Sequence, residues 1–218
     1  MKHRKNKRMI WSGWRFLLGL LLLVGTAFSQ AGQSRIAPEN ATEARANELW
    51  PPARIMDVVG VVDGMTVAEI GAGRGRNVVH LADRVGPHGR VYAEDIDAEA
   101  LRHLAERCRR VGFANVFAVL GDVSDPKLPP GALDSIIVIG SYQHFTDPVA
   151  LMRNARAALK ADGVVAIVDH FAEQDGPYNV SEGTMKAQMK NAGFVFERLD
   201  KPFETGRGSV YLFRLREP

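Results

Sequence analysis

The sequence predicts an α/β fold, a doubly wound seven-stranded sheet that ends in a C-terminal antiparallel hairpin. Three observations carry this. From Thr42 onward, helix-like stretches alternate with short apolar runs, the pattern of successive βα units. The run Asp134–Ile139 is apolar enough for a parallel strand covered on both faces. The last two strand-like runs lie only about ten residues apart, too close for a helical crossover, so they pair antiparallel.

Each element has a local reason. Thr42 caps a helix over Glu43–Trp50; Pro51-Pro52 interrupts it, and Ala53–Gly60 forms a second short helix. The first strand is Thr66–Ile70, followed by a helix from Arg76 to Arg84. The turn Gly86-Pro-His-Gly89 leads into a second strand, Arg90–Glu94. Asp97 caps a long helix, Ala98–Val111, which Gly112 closes. The third strand is Asn115–Leu120, and a stretch rich in Pro and Gly then replaces a full helix. The fourth strand, Asp134–Ile139, precedes a helix over Val149–Lys160 and a fifth strand, Val164–Asp169. A helix over Glu182–Ala192 leads to the hairpin strands Phe194–Leu199 and Ser209–Leu215.

The chain has 218 residues, enough for one domain and a leader. Residues 1–31 hold six basic side chains and no acidic one, and read as a signal peptide or N-terminal anchor. Their apolar stretch, Phe16–Phe28, would span about 20 Å as a helix, short of a hydrocarbon core of roughly 30 Å. Small residues offer cleavage after Ser29 or Ala31. Either a cleaved signal or an uncleaved anchor puts the body in the periplasm, outside the cell or at the inner membrane, with the membrane touched only through this segment. Initiation at Met9 would weaken that expectation. Residues 32–42 are polar and read as a linker, leaving 43–218 as the functional domain.

Beyond the leader the chain carries 22 basic against 25 acidic residues. The net charge of that mildly acidic body offers no support for a phosphate-binding surface, so nucleic acid is not the expected partner. The single cysteine, Cys108, rules out an intramolecular disulfide and a cysteine zinc cluster; it is either a small core residue or a reactive thiol. Oligomeric state is not legible.

The chemistry gathers at strand ends. The first strand runs into Glu69-Ile-Gly71-Ala-Gly73-Arg-Gly75, where glycines let the backbone approach a ligand. A dinucleotide fingerprint needs glycine where Arg76 stands. Glu69 would repel a pyrophosphate and attract an ammonium or sulfonium group. The second strand ends at Glu94-Asp95-Ile96-Asp97; a carboxylate there suits a ribose diol, and Asp95 is the candidate because Glu94 faces the other side of the sheet. The third ends at Gly121-Asp122-Val123, where Asp122 either accepts from an exocyclic amine or caps a turn.

These segments, in this order, resemble motifs I, II and III of class I S-adenosyl-L-methionine (SAM)-dependent methyltransferases, from about Ala53 to the C-terminus. The resemblance implies a Rossmann-like fold and SAM as cofactor. It implies that Glu69, Gly71, Ala72, Gly73 and Gly75 flank the methionine part, that Asp95 with Ile96 holds the ribose, and that Asp122 with Val123 borders adenine. The stretch Trp50-Pro-Pro-Ala-Arg-Ile-Met-Asp57 is also similar to a group of exported bacterial methyltransferases of unassigned substrate.

After the fourth strand, Gln143-His144-Phe145-Thr146-Asp147-Pro148 resembles that family's HHF-DP segment, with Gln143 in place of the first His. By that likeness Ser141 and Tyr142 lie near the methyl group. His144 is a candidate general base, the competing reading being a hydrogen-bonded structural histidine. With Tyr142 it forms the candidate catalytic pair. Asp169 and Asp147 are too few carboxylates for a metal-dependent enzyme, so no metal is expected. The function expected is methyl transfer to a small molecule. A non-catalytic envelope protein that binds SAM or S-adenosylhomocysteine is the alternative, because SAM is made in the cytoplasm. A nicotinamide-dependent oxidoreductase is disfavoured by Glu69 and Arg76.

Overall fold

The computed structural model describes residues 36–176 and 179–216; the leader at residues 1–31 lies outside them. In chain order the elements are α1 (Ala41–Leu49), α2 (Pro52–Val59), β1 (Thr66–Ile70), α3 (Val78–Val85), β2 (Arg90–Asp95), α4 (Ala98–Val111), β3 (Val116–Leu120) and β4 (Leu133–Ile139). They continue with α5 (Pro148–Ala155), β5 (Leu159–Asp169), α6 (Glu182–Asn191), β6 (Phe194–Asp200) and β7 (Ser209–Leu215).

The strands form one seven-stranded sheet in the order β3-β2-β1-β4-β5-β7-β6. The first five are parallel, while β7 runs antiparallel to both β5 and β6. This is the expected doubly wound sheet with its terminal hairpin. The order reverses between β1 and β4, and their carboxyl ends part there to leave a crevice for a ligand. Successive residues of β1 feed opposite cores. Val67 packs with Val79, Leu81 and Leu104 on the α2–α3–α4 side. Ala68 and Ile70 pack with Leu151, Met152, Met185 and Met189 on the α5–α6 side. Burial on both faces explains why these strands are apolar without alternation.

Three local expectations are corrected. The first helix begins at Ala41, capped by Asn40, whose Oδ1 accepts from the Glu43 N–H at 2.9 Å, and not by Thr42. The described part of the expected linker is packed: Ile36 is buried, and Glu39 accepts from His103 at 2.6 Å and pairs with Arg110. The helix expected through Lys160 stops at Ala155, followed by a 3-10 turn over Arg156–Ala158. Leu159 is claimed by pairing with Leu133, and Lys160 lies in β5 with its ammonium 2.6 Å from Asp134.

Candidate functional site

Gly71 turns the chain as it leaves β1, at φ +76°. A Cβ on this residue would lie 2.5 Å from Ser141 Oγ at the end of β4. The serine hydroxyl donates to the Ile70 carbonyl at 3.0 Å, tying β4 to β1 across the crevice. The Gly71 and Ala72 N–H groups donate to the Glu94 carbonyl at 3.0 and 2.9 Å. Gly73 N–H donates to Asp95 Oδ2 at 2.7 Å, and Asp97 N–H to Asp95 Oδ1 at 2.9 Å.

A cavity of about 250 Å³ opens at this edge. Of the sequence-predicted residues, Gly71, Asp95, Ile96, Asp122, Val123, Ser141 and His144 line it together. Ile70, Glu94, Phe145, Thr146 and Leu151 complete the walls. Ile96 and Val123 are 60% and 46% exposed, two apolar side chains free to cover a flat ring. Asp122 Oδ1 accepts from the Val123 N–H at 2.7 Å, the turn-capping use the sequence allowed. Its second oxygen remains for an amine donor. Two open hollows of about 330 and 660 Å³ lie beside the α4–β3 turn, and no residue of the glycine loop lines them.

Glu69, Ala72, Gly73 and Gly75 do not line the cavity. Glu69 sits on the α3 side of β1, 1% exposed. Its Oε1 accepts from Asn77 Nδ2 at 2.9 Å, and its Oε2 has no partner. Burial pushes its pKa up to about 7, against the Asn77 hydrogen bond and the positive charge of Arg76. Arg76, in the place of a third fingerprint glycine, donates to Asn47 on α1 at 3.1 Å. The same helix is pinned by a buried pair, Arg107 to Glu43 at 2.5 and 3.1 Å. Just past its end, Trp50 donates to the Arg207 carbonyl at 2.8 Å. α1 thus reaches from α4 to the β6–β7 turn.

Sequence reasoning gave Glu94 no role. It does face away from Asp95, yet it walls the cavity at 2% exposure with Oε1 unpartnered. Burial pushes its pKa up to about 8. Gly121 lies against this carboxyl, where a Cβ would collide with it, and nothing in the local sequence around Glu94 signals the contact.

The catalytic expectation is half corrected. Tyr142 is 1% exposed, packs in the α5–α6 core, and donates its hydroxyl to Gln188 Oε1 at 3.1 Å. Desolvation raises its pKa. Packed in the core and absent from the cavity walls, it serves as a packing residue. His144 lines the cavity and is exposed. Asp147 accepts from the Ala150 N–H at 2.9 Å and Pro148 opens α5, so this Asp-Pro pair starts a helix. Cys108 is buried in the α4 core, the bland of its two readings. Among the described residues, no group of three or more His, Cys, Asp or Glu side chains could hold a metal ion.

These residues fit SAM. Glu69 Oε2 is buried without a hydrogen-bond partner, Asp95 and Asp122 offer acceptors along one wall, and Ile96 and Val123 offer apolar cover. Comparison with known proteins agrees. Residues 62–203 match a family described as a methyltransferase domain. The chain is 32% identical over 127 residues to nocamycin O-methyltransferase of Saccharothrix syringae, covering 57% of this chain and 45% of that one. It is 30% identical over 136 residues to protein-L-isoaspartate O-methyltransferase of Ignicoccus hospitalis, covering 62% and 59%. The chain thus spans about half the length of these relatives. In fold it resembles a SAM-dependent methyltransferase from Aquifex aeolicus, with a TM-score of 0.71, 23% identity, and 83% and 100% of the two chains covered. The chain therefore belongs to the methyltransferase-domain family, with S-adenosyl-L-methionine as its cofactor.

Proposed function

We propose that this protein transfers a methyl group from SAM to a small-molecule acceptor. The cavity that brings Asp95, Asp122 and Ser141 together with His144 carries this reading. Bound there, SAM supplies an electrophilic methyl on a sulfonium whose leaving group is neutral. The protein therefore needs no anion-stabilising pocket, and alignment of the reactants contributes on the order of 7–11 kcal/mol. Asp95 would hold the ribose hydroxyls and Asp122 the adenine amine, and the charge of buried Glu69 would act on the ammonium through the intervening loop. His144 would take a proton where the acceptor must lose one. Likeness to nocamycin O-methyltransferase supports a small acceptor. The acidic body supports an acceptor other than nucleic acid.

The expected leader supports a place in the periplasm, in the medium or at the inner membrane. Among the described residues no helix is long and apolar enough to cross a membrane. Fractionation with N-terminal sequencing of the mature protein tests this. A cytoplasmic protein that keeps residues 1–31 would overturn it.

Calorimetry and denaturation test the cofactor reading. SAM at a hundred times its Kd should stabilise the protein by about 2.7 kcal/mol. NAD should have no effect. Tight NAD binding with none for SAM would replace the reading with an oxidoreductase.

A further inference from the structure

We propose that the methyl acceptor is a proton-bearing hydroxyl or amine held by Gln143, and that Asp169 acts as the positioning residue for Gln143. This deepens the methyltransferase reading and rests on it.

Gln143 lies in the 3-10 turn after β4, and Asp169 ends β5 beside it. Gln143 Nε2 donates to Asp169 Oδ1 at 2.9 Å and, more weakly, to the His170 carbonyl at 3.4 Å. An ionised carboxylate and a backbone carbonyl only accept, so they fix which end of the amide carries nitrogen. Gln143 Oε1 is left as an acceptor with no partner among the described residues. Asp169 is held in turn: its Oδ1 also accepts from the His170 N–H at 2.8 Å, and the residue is 4% exposed. Its Oδ2 is buried and unpartnered.

At the end of β4 the half-buried Gln143 therefore presents its Oε1 acceptor to an incoming molecule, while Asp169 Oδ2 stays buried behind it. No lysine or arginine among the described residues bonds to either side chain. A hydroxyl or amine meets this surface with a donor. A carboxylate meets it lone pair against lone pair, next to a second buried acid. Desolvation already raises the Asp169 pKa, so another anion nearby costs more still. Two imidazoles, His144 and His170, lie close enough to Asp169 to act on its charge. In the transfer, an acceptor lone pair forms the new bond to the methyl carbon, and the carbon–sulfur pair returns to sulfur. The released proton passes to His144 or to water.

The experiment uses the full chain, methyl-tritiated SAM and a small-molecule cell extract as the acceptor source. Alkali sorts the products: an ester methyl leaves as volatile methanol, whereas an ether or amine methyl is retained. The expected result is alkali-stable label. Gln143→Ala should lower the initial rate by about tenfold or more, the loss of one functional hydrogen bond. Gln143→His should keep most of the rate, because one ring nitrogen can donate to Asp169 while the other accepts. Asp169→Asn, whose amide can present either end, should fall between them. SAM affinity by calorimetry should be unchanged in all three. Alkali-labile label, an undiminished rate in Gln143→Ala, or no labelled product from a protein that binds SAM would each overturn the proposal. Failure to bind SAM would instead overturn the underlying function.

Discussion

The carboxylate of Asp95 accepts the backbone N–H of Gly73 at 2.7 Å, so the acid that ends β2 also holds the glycine loop that follows β1. The two residues belong to separate sequence motifs, yet they form one hydrogen-bonded unit. Each carboxylate oxygen has a second acceptor direction, which leaves room for a ribose hydroxyl.

Removing Asp95 therefore strikes twice, at the ligand and at the loop. Asp95→Ala should weaken SAM by roughly 10- to 100-fold, the range for hydrogen bonds to a charged group. Asp95→Asn, which keeps one acceptor, should lose less. Titration calorimetry reads both. Equal affinity in Asp95→Ala would remove Asp95 from the ribose site.

The buried acids make the protein sensitive to pH. Glu69 titrates near 7 and Glu94 near 8 in the fold, against 4.5 for an ordinary glutamate. Between pH 4.5 and 8 the unfolded chain has released protons that the fold retains, so the protein without ligand should lose stability as pH rises and level off above about 8. Urea denaturation at pH 5.5 and 8.5 measures the fall, and Glu69→Gln should reduce it. A cationic ligand favours ionised Glu69, so SAM affinity should rise from pH 6 to 8, by at most about tenfold per unit below 7. That rise should flatten in Glu69→Gln.

Glu43 and Arg107 are 8% and 3% exposed and join α1 to α4. Glu43→Ala leaves a buried guanidinium without its main partner, which costs about 3–5 kcal/mol. Glu39, 3.9 Å from Arg107, should hold the loss to the lower end of that range. Replacing both partners by leucine should recover much of it. Chemical denaturation of the single and double variants checks this.

Tyr142→Phe removes only the hydroxyl bonded to Gln188. It should cost about 1 kcal/mol of stability and leave the transfer rate unchanged. His144→Ala should lower the rate roughly a hundredfold or more where the acceptor loses its proton, with SAM affinity intact. Comparing kcat and KM for the two variants separates packing from proton transfer. Equal losses would return Tyr142 to the reacting centre.

Local signals made much of the fold legible. The sequence placed β1, α4 and β7 at Thr66–Ile70, Ala98–Val111 and Ser209–Leu215, the bounds the structure shows. Asp97 and Gly112 mark the ends of α4 by chemistry that acts within a few residues. The same range of action made the glycine loop, Asp95 and Asp122 visible as parts of a candidate site. It pointed to Thr42 as the first helix cap where the structure has Asn40, because both residue types can cap. The contacts of Ile36 and Glu39 with distant residues accompany the choice.

The sequence by itself determined which segments become strands and helices, that the last two strands pair antiparallel, and which strand ends carry acids. Only the tertiary structure decided that β7 inserts between β5 and β6, that Tyr142 turns into the core, and that Glu94 walls the cavity. It also decided that Gln143 is held by Asp169. Periodicity, caps and glycine turns act over a few residues. Whether a carboxyl group keeps its water, gains a partner or stands buried without one depends on segments that pack against it from elsewhere in the chain.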